Sequence, residues 1–131
     1  HIGAFPGHTR ARKWWQELMN GAVGIGMAPV AVFGFLRIAT NPRIFDPPMS
    51  VDAAAERIGE WFDRDHVRFL LPGPRHLEIA LGLIRDLGTA ANLTTDAQLA
   101  ALAIEHQAEL HSTDTDFARF PGLRWTNPLA A

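Results

Sequence analysis

LTTDAQLAALAIEHQAELHSTDTDF, residues 93–117, is the stretch that decides the fold class. Thr95 to His106 has no glycine or proline and reads as a helix. Glu109 to Ser112 then reads as a short strand. Acids stand at both junctions: Asp96 where the helix begins, and Asp114 and Asp116 directly after the strand.

Outward from this stretch the same alternation repeats. Arg75 to Leu87 is predicted as a helix with Leu77, Ala80, Leu81 and Ile84 on one face, stopped by Gly88. Before it, Val67 to Leu71 is a strand that ends at Pro72-Gly73-Pro74. Ser50 caps a helix that runs to about Asp63, with Asp52 and Glu56 early in it. Pro29 opens another helix through Ala39, and Asn41-Pro42 ends it. Val23 to Met27 is a short strand, and His8 to Asn20 is a helix stopped by Gly21. A last strand is expected at Leu123 to Thr126. Helices that alternate with short strands, joined by connectors too long for hairpins, predict an α/β fold. Its short parallel sheet is expected to be central and covered by helices on both faces. The 131 residues are the size of one domain.

Composition narrows the function. The chain is 47% hydrophobic and 20% charged, a balance that excludes both a disordered tail and a membrane bundle. The net charge of -2 excludes a globally basic nucleic-acid binder. The charge is uneven, however: residues 1–45 carry five bases against the single acid Glu17, so a local basic strip can still meet phosphates. Cysteine is absent, which removes disulfides, thiolate metal sites and cysteine nucleophiles and fits a reducing compartment. The uncharged stretch Leu18 to Leu36 is broken by four glycines and Pro29, which argues against a spanning helix. The expected location is the cytoplasm.

In a parallel α/β fold, ligands bind beyond the carboxyl ends of the strands. Asp96, Asp114 and Asp116 reach that edge with no lysine or arginine beside them in the local sequence. Oxygen-only donors suit a hard divalent cation, magnesium or manganese, and so phosphodiester chemistry. A second reading stands beside it: Asp96 also suits a helix N-terminus through the macrodipole, and Asp114 and Asp116 also suit an Asx turn. The six histidines show no HExxH spacing and no cluster, and the GAVGIG glycines do not fit a dinucleotide fingerprint. His111 is adjacent to Ser112 and alternates with it in an extended strand, a poor base for a nucleophile.

Residues 96–129, DAQLAALAIEHQAELHSTDTDFARFPGLRWTNPL, resemble the PIN-domain family, and within it the VapC toxins of type II toxin–antitoxin modules. FLRIATNPRIF at Phe35–Phe45 and the RARKWWQEL helix extend the resemblance over essentially the whole chain. It implies a magnesium- or manganese-dependent endoribonuclease, an RNA substrate, a cognate VapB-type antitoxin and a homodimer. On matching positions it makes Asp96, Asp114 and Asp116 metal ligands, with Thr113 a supporting hydroxyl. Family members open on a strand that carries an aspartate in a DxN-like pattern. The chain begins at His1, after that strand, and is expected to form a single PIN-like domain without it. The family's early helical glutamate is matched here by the apolar APVAVFGFLR, with Val32 near its position. Arg37 and Arg43 are candidate phosphate contacts, against solvated or capping roles. Trp14, Trp15 and Phe33 are candidates for an antitoxin or dimer surface, against plain core packing. The alternative function is a PIN fold that binds a partner without hydrolysis.

Overall fold

The computed structural model describes residues 8–129, so His1 and the reading attached to it lie outside the described residues. Five helices and four short strands follow one another: α1 (His8–Asn20), β1 (Ile25–Met27), α2 (Pro29–Ala39), α3 (Val51–Phe62), β2 (Val67–Phe69), α4 (His76–Leu87), α5 (Thr94–Glu105), β3 (Leu110–His111) and β4 (Trp125–Thr126). All nine match elements that the sequence predicts, and the strands are shorter than expected. The chain divides between Leu70 and Leu71 into two compact units. Among the described residues no helix is long and apolar enough to cross a membrane.

In the first unit, β1 pairs with β2 in parallel, with Ile25 opposite Val67 and Met27 opposite Phe69. At Gly26 a Cβ would overlap the Leu70 side chain, which would have to shift to admit it. The unit's core is aromatic. Trp61 of α3 meets Trp15 edge-on at 5.4 Å and Phe35 at 4.7 Å between ring centroids, with Met19 and Val67 buried beside them. Such tilted contacts suit the ring quadrupoles and add to the burial of large areas. α3 starts where Ser50 Oγ accepts the Ala53 N–H at 3.0 Å, the cap that the sequence predicts. Arg64 ties the ends of two helices, donating to the carbonyls of Met19 (3.2 Å) and Glu60 (2.7 Å).

In the second unit, β3 pairs with β4, again in parallel, with Leu110 opposite Trp125. Both ladders therefore have the parallel pairing of an α/β fold, each with two strands among the described residues. α4 packs on α5 through small side chains: Ala97, Ala100 and Ala101 have no exposed surface, and Ala80 lies in the same cluster. Phe117 and Phe120 fill the remaining space from the segment after β3. α4 ends at Gly88 with φ 77°, a left-handed cap that glycine adopts without strain. Its other end is held from a distance, because Glu105 accepts the N–H groups of Gly73 (2.7 Å) and Arg75 (2.9 Å) across the Pro72-Gly73-Pro74 turn.

Candidate functional site

The site is built by α5 and by the turn that follows β3. α5 is entered through a 3-10 turn, Ala91–Leu93, in which Leu93 is buried. Asp96 therefore falls in the first turn of the helix, where the macrodipole favours a carboxylate. After β3 the chain enters a second 3-10 turn, Thr115–Arg119, and Asp114 is its N-cap: Asp114 Oδ1 accepts the Asp116 N–H at 2.9 Å. The turn is anchored by Phe117, which is 3% exposed. Burial of that ring beside α5 carries the two acids of the turn toward Asp96.

Carboxylate oxygens of Asp96, Asp114 and Asp116 lie within 4.8 Å of one another. Asp96 and Asp116 are half-buried and Asp114 is exposed. Partial burial, and then the charges of Asp114 and Asp116, hold the Asp96 carboxyl above the ordinary carboxylate value. Since folding raises this pKa, the contribution to stability is present at low pH and is lost as pH rises through the raised value.

The donor set fits a divalent cation. All three donors are hard oxygens, as magnesium and manganese prefer. Closure of the three side chains around one cation would bring an oxygen of each into its ligand shell. The Asx turn does not compete with this, because a carboxylate has two oxygens and about four acceptor sites. Both sequence readings of these acids therefore describe the same residues.

Two features of the local support go beyond the sequence reading. The hydroxyl that holds Asp114 belongs to Ser112, whose Oγ accepts the Asp114 N–H at 3.1 Å, while Thr113 is exposed. Ser112 is itself fixed by the Trp125 indole N–H, which donates to its carbonyl at 2.9 Å, and by its own N–H donating to the Thr126 carbonyl at 3.1 Å. Second, the acids have a basic neighbour after all: Arg119 Nη1 stands 4.0 Å from Asp116 Oδ1. Its three-residue offset from Asp116 across a helical turn is the signal that could have found it.

The other predicted residues lie in the first unit. Arg37, in the last turn of α2, and Arg43 are exposed. Phe33 is 61% exposed, whereas Trp15 packs into the aromatic core, as the packing alternative had it. Trp14 is half-buried, with its ring centroid 6.2 Å from that of Trp15. Val32, near the position of the family's glutamate, is 4% exposed and belongs to the buried face of α2.

A family model described as PIN domain matches residues 3–123. Ribonuclease VapC33 of Mycobacterium tuberculosis is 54% identical over 128 residues, 98% of this chain and 90% of that protein. Ribonuclease VapC37 of the same species is 37% identical over 94% of this chain and 85% of its own length. Ribonuclease VapC31 is 34% identical over 98% and 90%.

Proposed function

The chain belongs to the PIN-domain family, and from that premise we propose that it is a metal-dependent endoribonuclease, the toxin of a toxin–antitoxin pair. The observation that carries the reading is the convergence of Asp96, Asp114 and Asp116 within 4.8 Å, from two separate segments of the chain. The family model spans both compact units, which supports reading them as one PIN-like domain.

Asp96, Asp114 and Asp116 hold a divalent cation, magnesium or manganese. When bound, the cation polarises the phosphodiester and lowers the pKa of water. The protein's part is to present three oxygens at fixed positions. Ser112 and Trp125 hold the backbone on which Asp114 sits, and the buried Phe117 fixes Asp116. Thr113 is a further hydroxyl beside Asp114, and Arg37 and Arg43 offer charge to RNA phosphates. RNA selection of this kind works through shape and through bases splayed from single-stranded segments. The partner is a cognate VapB-type antitoxin, for which Phe33 and Trp14 offer apolar contact, and the active form is a homodimer in the cytoplasm. A partner-binding protein without hydrolysis is the weaker reading, since relatives with 54% and 37% identity are named ribonucleases.

The test is cleavage of a broad RNA panel by the full-length protein, purified free of any antitoxin, with magnesium or manganese. Cleavage is expected, with loss on chelation. Asp96→Asn and Asp114→Asn should each lower it by more than about a hundredfold, beyond what outer-sphere partners of a metal usually cost. The amide oxygen that Asp114→Asn retains can still accept the Asp116 N–H, so the turn survives the change of charge. An uncut panel would favour the partner-binding reading.

A further inference from the structure

Arg119 ends the 3-10 turn that carries Asp116, and the two side chains are 52% and 48% exposed. A strong guanidinium–carboxylate pair closes to about 2.7–2.9 Å, often through two parallel bonds. At 4.0 Å and half in water, this contact adds little to stability. Nor does the turn depend on it. Asp114 caps the turn, the Phe117 N–H reaches the Asp114 carbonyl at 3.3 Å, and Phe117 and Phe120 are buried. Arg119 therefore stands beside the acids without a structural task that explains it.

Charge counting supplies one. Three ionised carboxylates with one divalent cation leave a net charge of minus one, and a phosphodiester brings another negative charge. Approach of the substrate is then opposed unless a further cation stands at the rim. Of the other bases of this unit, Arg75 is engaged with Glu78 at 3.3 Å, Arg124 donates to the Gln107 carbonyl at 2.6 Å, and Arg85 lies in the last turn of α4 rather than on the turn that carries the acids. We infer that Arg119 is a phosphate-contacting residue beside these acids, turning from Asp116 to an RNA phosphodiester once a divalent cation is bound. The inference rests on the ribonuclease reading above. The planar guanidinium fork matches two phosphate oxygens, which the point charge of a lysine does not.

The experiment compares the full wild-type chain with Arg119→Ala and Arg119→Lys in three measurements. These are manganese affinity without RNA, anisotropy of a short single-stranded RNA in calcium, and cleavage in manganese. Arg119→Ala is expected to weaken RNA binding about tenfold, the size of one charge-assisted contact. It should also lower the slope of log affinity against log salt by about 0.7. Its manganese affinity should be equal or tighter, since a competing cation has gone. Arg119→Lys should recover part of the binding and little of the cleavage. Unchanged RNA binding overturns the proposal, and so does manganese affinity that falls in step with RNA binding, because Arg119 would then merely hold Asp116. If the wild type binds RNA in this Arg119-dependent way without cutting it, the hydrolytic reading fails and the contact stands. If the wild type cuts RNA and Arg119→Ala is indistinguishable from it, the reverse holds. No RNA binding by the wild type overturns both.

Discussion

Each compact unit joins a two-stranded parallel ladder to helices, and each does so with a different class of side chain. Around β1 and β2 the contacts are between large rings, with Trp61 at the centre of Trp15 and Phe35. Around β3 and β4 the neighbouring helices meet through alanines with no exposed surface. Large rings supply much buried area per residue. Small side chains supply less area per residue and let helix backbones approach closely. The polar machinery is found with the small side chains. There, short backbone-anchored hydrogen bonds from Trp125, Ser112 and Asp114 fix the carboxylates. Apolar bulk and positional accuracy are thus divided between the units.

The largest blow to this contrast should come from Trp61→Ala. Removing the central ring is expected to cost about 3–5 kcal/mol, read as a fall in urea midpoint. A loss below about 1 kcal/mol would show that the rings are incidental to the first unit. Next is Ala100→Leu in α5, where an added side chain meets a packed helix interface. A cost of about 1–3 kcal/mol is expected, together with weaker manganese binding as Asp96 shifts. Full tolerance would mean that the small side chains are not what sets the spacing.

The smallest effect is a pH signature of the second unit. Partial desolvation pushes the Glu105 carboxyl up. The N–H groups of Gly73 and Arg75 and the charges of His106 and His76 outweigh it and hold the pKa below the ordinary value. A lowered pKa gives stability that is present above the ordinary glutamate value of 4.5 and lost as pH falls through the lowered one. The Arg75–Glu78 pair lies in the same neighbourhood. Melting temperature against pH should therefore drop on acidification more steeply for the wild type than for Glu105→Gln. Parallel curves would remove Glu105 from the account.

Much of this molecule was legible in the linear chain. Ser50, Gly88 and Pro29 mark helix ends by local chemistry, and the structure uses all three as the sequence predicts. The three acids could be selected because they recur at element junctions, where the backbone of a parallel α/β fold delivers side chains to one edge. The supporting residues were not legible in the same way. Ser112 and Thr113 are adjacent hydroxyls, and only the path of the chain after β3 decides which one meets the Asp114 N–H. Trp125 enters through a pairing of strands thirteen residues apart. Glu105 holds a turn that lies thirty-two residues before it, a contact that leaves no local periodicity to read.

By itself, then, the sequence determined the order and ends of the elements, the parallel α/β class and the carboxylate set. These follow from caps, breakers and side-chain periodicity acting over one or two turns of chain. Only the tertiary structure decided that Asp96 meets Asp114 and Asp116, that Trp15 is core while Phe33 is surface, and that Trp125 and Glu105 reach segments distant in the chain. Each of these depends on which segments pack together, and that is set by the burial of Phe117, Phe120 and Trp61 rather than by neighbours along the chain.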